Sequence, residues 1–294
     1  MLANSETEIK LLPTRQTKLG LIRAFSGRAH KTAIETLTDY LEIAQFSISS
    51  ADSETIRDEY LDDAEYSLLR KGISFRVRHK GRERRLEIKI PQTLGIPQAD
   101  GVFDRREYSS IIPMEEYRRL VDLSEIPSDA RSVLRESSSN VHIVCEVSDN
   151  RLLYHLRRGD ALYQLSIDRC GFFDPSTGYR SKNVFMEIEI EALNKFASED
   201  SKKLRRDLEL ILRKERRFTF SNTTKYQDAV RALRIKYPRP IRRLFSNDTE
   251  FGITVTLVAL LSAFLLVVTS PEFAAVITCV LLGGAVAYFA FFDS

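Results

Sequence analysis

The chain has 294 residues, with 44 Lys and Arg against 41 Asp and Glu, and three cysteines. That length suits one large domain or two small ones with ample core, and no repeat or low-complexity linker interrupts it. Cys145, Cys170 and Cys279 are too sparse and too odd a set for a disulfide framework, which suits a reducing compartment.

ETEIKLL, from Glu6, alternates charge with aliphatic residues and reads as a strand. KTAIETLTDYLEIA follows, with Ile34, Leu37, Leu41 and Ile43 spaced for one helical face. QFSISS and ETIRDEYLDD are candidate strands, and AEYSLLRKG is a short helical turn closed by Gly72. ISFRVRHKGRERRLEIKIP reads as a hairpin turning at Lys80-Gly81, GVFDRREYSSII as another strand and MEEYRRLVDL as a short helix. VHIVCEVSDN, RLLYHLRRGD and ALYQLSIDRCGFF form a three-strand meander, with turns at Asp149-Asn150 and Gly159-Asp160. NVFMEIEIEAL is the last strand. SEDSKKLRRDLELILRKER is a charged helix with Ser198 as a possible cap, and TTKYQDAVRALRIKY is another helix. The expected class is α+β: about eight antiparallel strands, closed or nearly closed, with flanking helices.

The carboxyl end differs. GITVTLVALLSAFLLVVTS and FAAVITCVLLGGAVAYFAFF are uncharged apolar runs, each about the length that spans the ~30 Å hydrocarbon core of a bilayer. The very short turn at Thr269 to Glu272 makes them a hairpin, and Gly283-Gly284 with several alanines suits close helix packing. Arg239, Arg242 and Arg243 precede the first run and the turn carries no Lys or Arg. The positive-inside rule therefore places the large amino-terminal part in the cytoplasm. The expected organisation is a globular domain over 1–237, a basic linker over 238–249 and a membrane hairpin over 250–294, contacting lipid through 250–292 and able to self-associate. With Glu250, Glu272 and Asp293 set aside, the remainder carries 44 basic and 38 acidic residues. That excess suits an anionic ligand or an anionic membrane surface.

On the strands, Glu6, Glu8 and Lys10 share one face. So do Arg76 and Arg78, then Arg85, Glu87 and Lys89, then Arg105 and Glu107, then Glu187, Glu189 and Glu191. For any single strand a solvated face is the plain reading. For about eight such strands together, closure with the apolar side outward under helices would line a channel with charge. Such an interior suits a metal–polyphosphate complex, with Glu and Asp oxygens holding a hard cation and Arg and Lys gripping phosphate.

ETEIK, YLDD followed by LLRKGISFRVR, LEIK, DRREY, SIDRCGFF and EIEIE together resemble the CYTH domain of the triphosphate tunnel metalloenzymes. The resemblance runs from about Glu6 to about Lys225. This sequence departs from the family pattern in carrying Tyr-Leu-Asp-Asp at Tyr60 to Asp63 and Phe75 before the first motif arginine. The resemblance implies an eight-stranded antiparallel tunnel that binds a triphosphate-bearing ligand with Mg²⁺ or Mn²⁺. It implies metal ligands at Glu6 and Glu8, among Glu187, Glu189 and Glu191, and at Asp168. It implies phosphate ligands at Lys10, Arg76, Arg78, Lys89, Arg151 and Lys225. Strand parity selects Arg105 in DRREY, with Arg106 the inward residue if a bulge intervenes.

The expected function is a membrane-anchored triphosphatase or polyphosphatase, in which Glu6, Glu8, Asp168 and Glu189 carry the chemistry through bound cations. A class IV-type adenylate cyclase, and a nucleotide or polyphosphate receptor whose hairpin is the effector, are the alternatives. No nucleic-acid duplex is expected as partner. SGRAHKT lacks the spacing of a phosphate loop. His30, His79, His142 and His155 show no ligand spacing, and no Ser/His/Asp triad is visible.

Overall fold

The alternation that opens the chain becomes β1 (Leu2–Pro13), which is followed by α1 (Arg15–Ala24) and the long β2 (Ser47–Asp62). The structure, a computed structural model, describes residues 2–25, 45–92, 102–112, 131–132, 134–135 and 141–236. A single-turn α2 (Ser67–Arg70), β3 (Ser74–Lys80), β4 (Glu83–Pro91) and β5 (Val102–Ile111) come next. β6 (His142–Arg158), β7 (Ala161–Phe173), β8 (Phe185–Ala192), α3 (Lys195–Glu215), β9 (Phe218–Phe220) and α4 (Lys225–Ala232) complete the order.

The strands run β5-β4-β3-β2-β6-β7-β8-β1, and β1 pairs back onto β5, so eight antiparallel strands close a barrel. The short β9 pairs with Leu11 to Pro13 at the end of β1, beyond the residues that pair with β5. Closure aligns Glu6 with Arg105 across β1–β5, and Glu8 with Glu191 and Lys10 with Glu189 across β1–β8.

The barrel is apolar on its outside. Ile9, Leu152, Tyr154, Leu165, Ile188 and Ile190 pack with Ala197, Leu204, Leu208 and Ile211 of α3, all nearly or fully buried. A second cluster joins Phe75, Val77, Leu86, Ile88 and Tyr108 to Leu68 of α2 and to Leu134. The helices thus remove from water the face that a solvated sheet would have turned inward, and the charged face is left to the interior.

α4 covers the end of the barrel at which β2 finishes and β3 begins. Its capping box pairs Thr224 with Gln227. Tyr226 stacks on Tyr60, with ring centroids 4.9 Å apart and planes 8° apart, and donates to Asp62 at 3.0 Å. Asp62, at the end of β2, also accepts from the backbone amides of Leu68 and Leu69 at 3.0 and 2.9 Å. One buried carboxylate therefore ties β2, α2 and α4 together.

Several sequence expectations change. QFSISS and ETIRDEYLDD are one strand, β2, and the meander has two strands rather than three, because β6 passes through Asp149-Asn150 without turning. An Asp-Asn pair favours a turn locally, but unbroken ladders to β2 and β7 on either side hold it extended. The turn at Gly159, with φ 59°, and the hairpin turn at Gly81, with φ 58°, stand as expected. The cap of α3 is Asn194, not Ser198: its side chain accepts from the Ala197 amide, and the helix starts one turn earlier. The helices expected at 31–44 and 114–123 and the membrane hairpin at 250–294 lie outside the described residues. Among those described, no helix is long and apolar enough to cross a membrane.

Asp62→Ala would leave two buried amides and the Tyr226 hydroxyl without their shared acceptor. Unfolding in urea is expected to show a loss of roughly 3 kcal/mol or more, with Asp62→Asn losing less.

Candidate functional site

The inward side chains of the eight strands are densely ion-paired, in groups that face one another across the interior. Next to α4, Arg151 of β6 donates two hydrogen bonds to Asp168 of β7, at 2.8 and 2.6 Å. Lys225, the first residue of α4, donates to Asp168 at 2.5 Å and to Asp149 at 3.0 Å. Lys10 of β1 donates to Glu189 at 2.5 Å and lies 3.4 Å from Glu8 and 3.6 Å from Glu187. On the opposite wall Arg78 makes two bonds to Asp58, both 2.8 Å, while Arg76 donates to Glu87 at 2.6 and 2.8 Å and to the Tyr60 hydroxyl at 3.2 Å. Lys89 pairs with Glu6, and Arg105 pairs with Glu8.

These groups surround a cavity of about 250 Å³. Eight cationic side chains line it: Lys10, Arg76, Arg78, Lys80, Lys89, Arg105, Arg151 and Lys225. Five carboxylates share that surface, those of Glu6, Glu54, Glu107, Glu189 and Glu191. Behind it lie six more buried acids: Glu8, Asp58, Glu87, Asp149, Asp168 and Glu187. The cavity surface is therefore cationic, although the interior as a whole has more acids than bases.

Burial opposes ionisation of Asp168 and Glu189, but Arg151, Lys225 and, for Glu189, Lys10 hold both carboxyls below the usual range. Glu187 behaves oppositely. Burial pushes its carboxyl well above the usual range, and Lys10 offsets this only in part because Glu189 and Asp168 add to the repulsion. Neither Glu187 oxygen accepts a hydrogen bond, although the residue is fully buried. Burial together with Asp168 likewise raises Asp149. Burial, with the acids of Glu6, Glu8 and Glu107 outweighing Lys89, pushes Glu191 up to about 7.

A divalent cation fits this donor set. Asp168, Glu187 and Glu189 each present an oxygen, all within 4.8 Å of one another, and the Glu187 oxygens lack any other hydrogen-bonding partner. Clustered carboxylates with a shared deficit of positive charge are the ordinary chemistry of Mg²⁺ and Mn²⁺ sites.

All the sequence-selected residues except Arg106 enter the interior. Arg106 is exposed, whereas Arg105 is buried on the inner face; no bulge reverses the parity of β5. Glu6 and Glu8 lie inside, engaged by Lys89 and Arg105, and the tightest group of acids is the Asp168, Glu187, Glu189 set. Asp58 and Asp149, which hold Arg78 and Lys225, and Tyr60 and Tyr226, which line the cavity, were not selected from sequence. Asp58 sits on a strand charged on both faces, and Asp149 carries a turn signal. Strand parity from Tyr60 points to Asp58, while Asp149 has the parity of Arg151.

Because the folded Glu187 carboxyl titrates above its ordinary value of 4.5, the folded state holds that proton more tightly than the unfolded chain does. Its stabilising effect is complete below that ordinary value and is lost as pH rises toward the folded value. Without divalent ions, Glu187→Gln is therefore expected to melt at a higher temperature than the parent at pH 8 and to flatten the decline of stability with pH. The same variant is expected to lose most of the rise in Tm that Mn²⁺ gives the parent. A full metal-dependent rise in the variant would remove Glu187 from the donor set.

No curated protein sequence gives a significant match. The structure resembles that of a candidate adenylate cyclase from Bacillus halodurans, at 16% identity and TM-score 0.46, covering 78% of this chain and 98% of that one. It also resembles a candidate adenylyl cyclase from Hippeastrum reported to have a dominant triphosphatase activity, at 16% identity and TM-score 0.46, covering 80% of this chain and 98% of the other. A third likeness is to the PH1819 protein of Pyrococcus horikoshii, at 16% identity and TM-score 0.45, covering 77% and 98%. The CYTH domain matches residues 29–227, starting after β1, so the Glu6, Glu8, Lys10 strand joins the site through its pairing with β5 and β8. The match takes in more than half of the sequence, and the chain belongs to the CYTH domain family.

Proposed function

We propose that the barrel hydrolyses the terminal phosphoanhydride of a triphosphate-bearing substrate with the help of a divalent cation. One observation carries this reading: eight cationic side chains face a small cavity, and behind its wall lies Glu187, a buried carboxylate whose oxygens accept no hydrogen bond. The first feature calls for a polyanion and the second for a cation, and a metal–triphosphate complex supplies both. Membership of a family that includes triphosphatases and cyclases is consistent with it.

The chain's own groups divide the work. Arg76, Arg78, Arg105 and Arg151 would hold non-bridging oxygens through their planar forks, and Lys10, Lys89 and Lys225 would act as point charges. Arg76 and Arg151, each buried and held by carboxylates, are aimed before substrate arrives, so charge that builds up on the phosphate meets donors already in place. Asp168, Glu187 and Glu189 would hold a divalent cation, with Glu6 and Glu8 able to contribute if Lys89 and Arg105 turn to phosphate. A bound Mg²⁺ or Mn²⁺ would supply charge neutralisation and a water of lowered pKa. Hydrolysis forms a bond from a water oxygen to the terminal phosphorus and breaks the bridging P–O bond. The bridging oxygen leaves on the shortened chain, and the water's proton passes to solvent.

The full chain, assayed with tripolyphosphate, long-chain polyphosphate, ATP, GTP and thiamine triphosphate in Mg²⁺ and in Mn²⁺, is expected to release inorganic phosphate. Arg151→Ala is expected to lower kcat/KM by about 10²–10³-fold. Pyrophosphate release from ATP would replace this reading by a cyclase. Tight binding with no turnover would replace it by a receptor.

We further propose that residues 250–294 attach the domain to a bilayer, with the barrel on the cytoplasmic side and the Gly283-Gly284 face available for self-association. The support is the pair of uncharged apolar runs with arginines before the first. The full chain is expected to resist alkaline extraction from membranes. Leu260→Arg, which places a charge mid-span, is expected to shift part of it to the soluble fraction, and equal extraction of parent and variant would oppose the anchor.

A further inference from the structure

α3 covers the barrel with one face and turns the other to solvent. Ala197, Leu204, Leu208, Ile211 and Leu212 are buried against the strands, and their three- and four-residue spacing fixes which side of the helix is left outside. The exposed side chains described on α3 include six cations, Lys195, Lys202, Lys203, Arg206, Arg213 and Lys214, and a single acid, Glu199, which lies 3.7 Å from Lys195. The other described acids of the helix are engaged elsewhere. Asp200 accepts from the Tyr163 hydroxyl at 3.0 Å, Asp207 accepts from Arg158 at 2.5 Å, and Glu209 accepts from Arg205 and Arg213 at 2.7 and 2.6 Å. Lys202, Lys203, Arg206 and Lys214 have no ion pair among the described residues. The outer stripe is therefore cationic, although the helix as a whole is mixed.

Two apolar side chains stand among these cations. Phe196 is 58% exposed and Leu210 71%, and Leu193, just before the helix, is 46% exposed. Phe196 and Leu210 lie about four helical turns apart, so they fall on one line of the helix about 21 Å long, with Lys203 and Arg206 between them. The cations call for an anionic surface. Nucleic acid offers that charge without an apolar seat at the same level. The headgroup region of an anionic bilayer offers both, because phosphates lie at the height of the Lys and Arg heads and acyl chains lie just below. The same chain carries two uncharged apolar runs after residue 250, with Arg239, Arg242 and Arg243 before them, so a bilayer is the surface its own sequence calls for.

We propose that the outer stripe of α3 is a lipid-binding surface, which rests on an anionic leaflet with Phe196 and Leu210 at the boundary between headgroups and acyl chains. This goes beyond the phosphate reading and does not depend on it, since no residue of the stripe lines the cavity. It also differs in kind from a membrane span. A span is held by apolar burial and is indifferent to salt, whereas this contact draws on charge, so it requires anionic lipid and weakens as ionic strength rises.

The chain has no tryptophan, so Leu210→Trp introduces a single fluorescent probe on the stripe. Tyr179→Trp, at a position 40% exposed beyond the other end of β7, is the comparison. The full chain is reconstituted with vesicles of brominated phosphatidylcholine, with or without about 30 mol % phosphatidylserine. Quenching of Leu210→Trp is expected to be at least about threefold greater in the anionic vesicles than in the neutral ones, and greater than that of Tyr179→Trp. It is expected to disappear at about 1 M salt, where the screening length falls to about 3 Å. Adding Lys203→Gln and Arg206→Gln is expected to remove most of it with Tm unchanged. Equal quenching in the two kinds of vesicle, or at the two probe positions, would overturn the proposal. So would an emission shift on adding single-stranded RNA with none on adding vesicles. Alkaline extraction separates this contact from the anchor. A chain that resists extraction yet shows no quenching at position 210 keeps the anchor and overturns the contact, while quenching in an extractable chain supports the contact and overturns the anchor.

Discussion

The structure depends on one electrostatic constraint. Ionised side chains taken out of water are costly unless opposite charges and hydrogen bonds meet them, and this barrel takes a great many out of water together. Arg151 with Asp168, Arg78 with Asp58 and Arg76 with Glu87 satisfy that constraint as two-bond forks. Lys10 and Lys225 sit among several acids at once. Removing one partner from such a set leaves a buried charge uncompensated, a loss of about 3–5 kcal/mol where it has been measured elsewhere. The network is therefore a structural element as much as a site.

An ionic interior requires the apolar faces to lie outside, and it is the helices that make this possible. α3 covers β1, β6, β7 and β8 through Leu204, Leu208 and Ile211, while α2 and Leu134 help to cover β3 and β4. The hydrophobic effect thus acts between barrel and helices rather than within the barrel, and leaves the lumen free for charge. α4 belongs to both systems. Val230 and Ala229 are buried, and its first residue, Lys225, reaches into the lumen.

The same pairing describes how the proposed activity would work. Each arginine that would grip phosphate is now held by a carboxylate, and the acids that would hold a cation include those that hold the arginines. Asp168, which now orients Arg151, would thus serve both halves of the site, positioning a phosphate-binding guanidinium and, with Glu187 and Glu189, offering oxygens to a cation. Glu187 is the least satisfied member of this balance: Lys10 and Lys225 lie 3.6 and 3.9 Å away, and neither of its oxygens accepts a hydrogen bond.

The sequence by itself determined which residues share a face. Period-two alternation is a property of the extended backbone, so Glu6 with Glu8 and Lys10, Arg76 with Arg78, and Glu187 with Glu189 and Glu191 could be grouped without coordinates. The family motifs added the fold and most of the site. What alternation cannot say is whether a charged face looks at water or into a lumen, because that depends on partners far away along the chain. Closure of β1 onto β5 turned the face inward, and register across β7 and β8 brought Asp168 to Glu187 and Glu189. Long-range ladders also overruled local preference at Asp149-Asn150, where a turn signal lost to continuous pairing on both sides. Asp58 and Asp149 became part of the site only through that assembly. Local patterns fix the side on which a charge lies, and only the closed sheet supplies the charge opposite it.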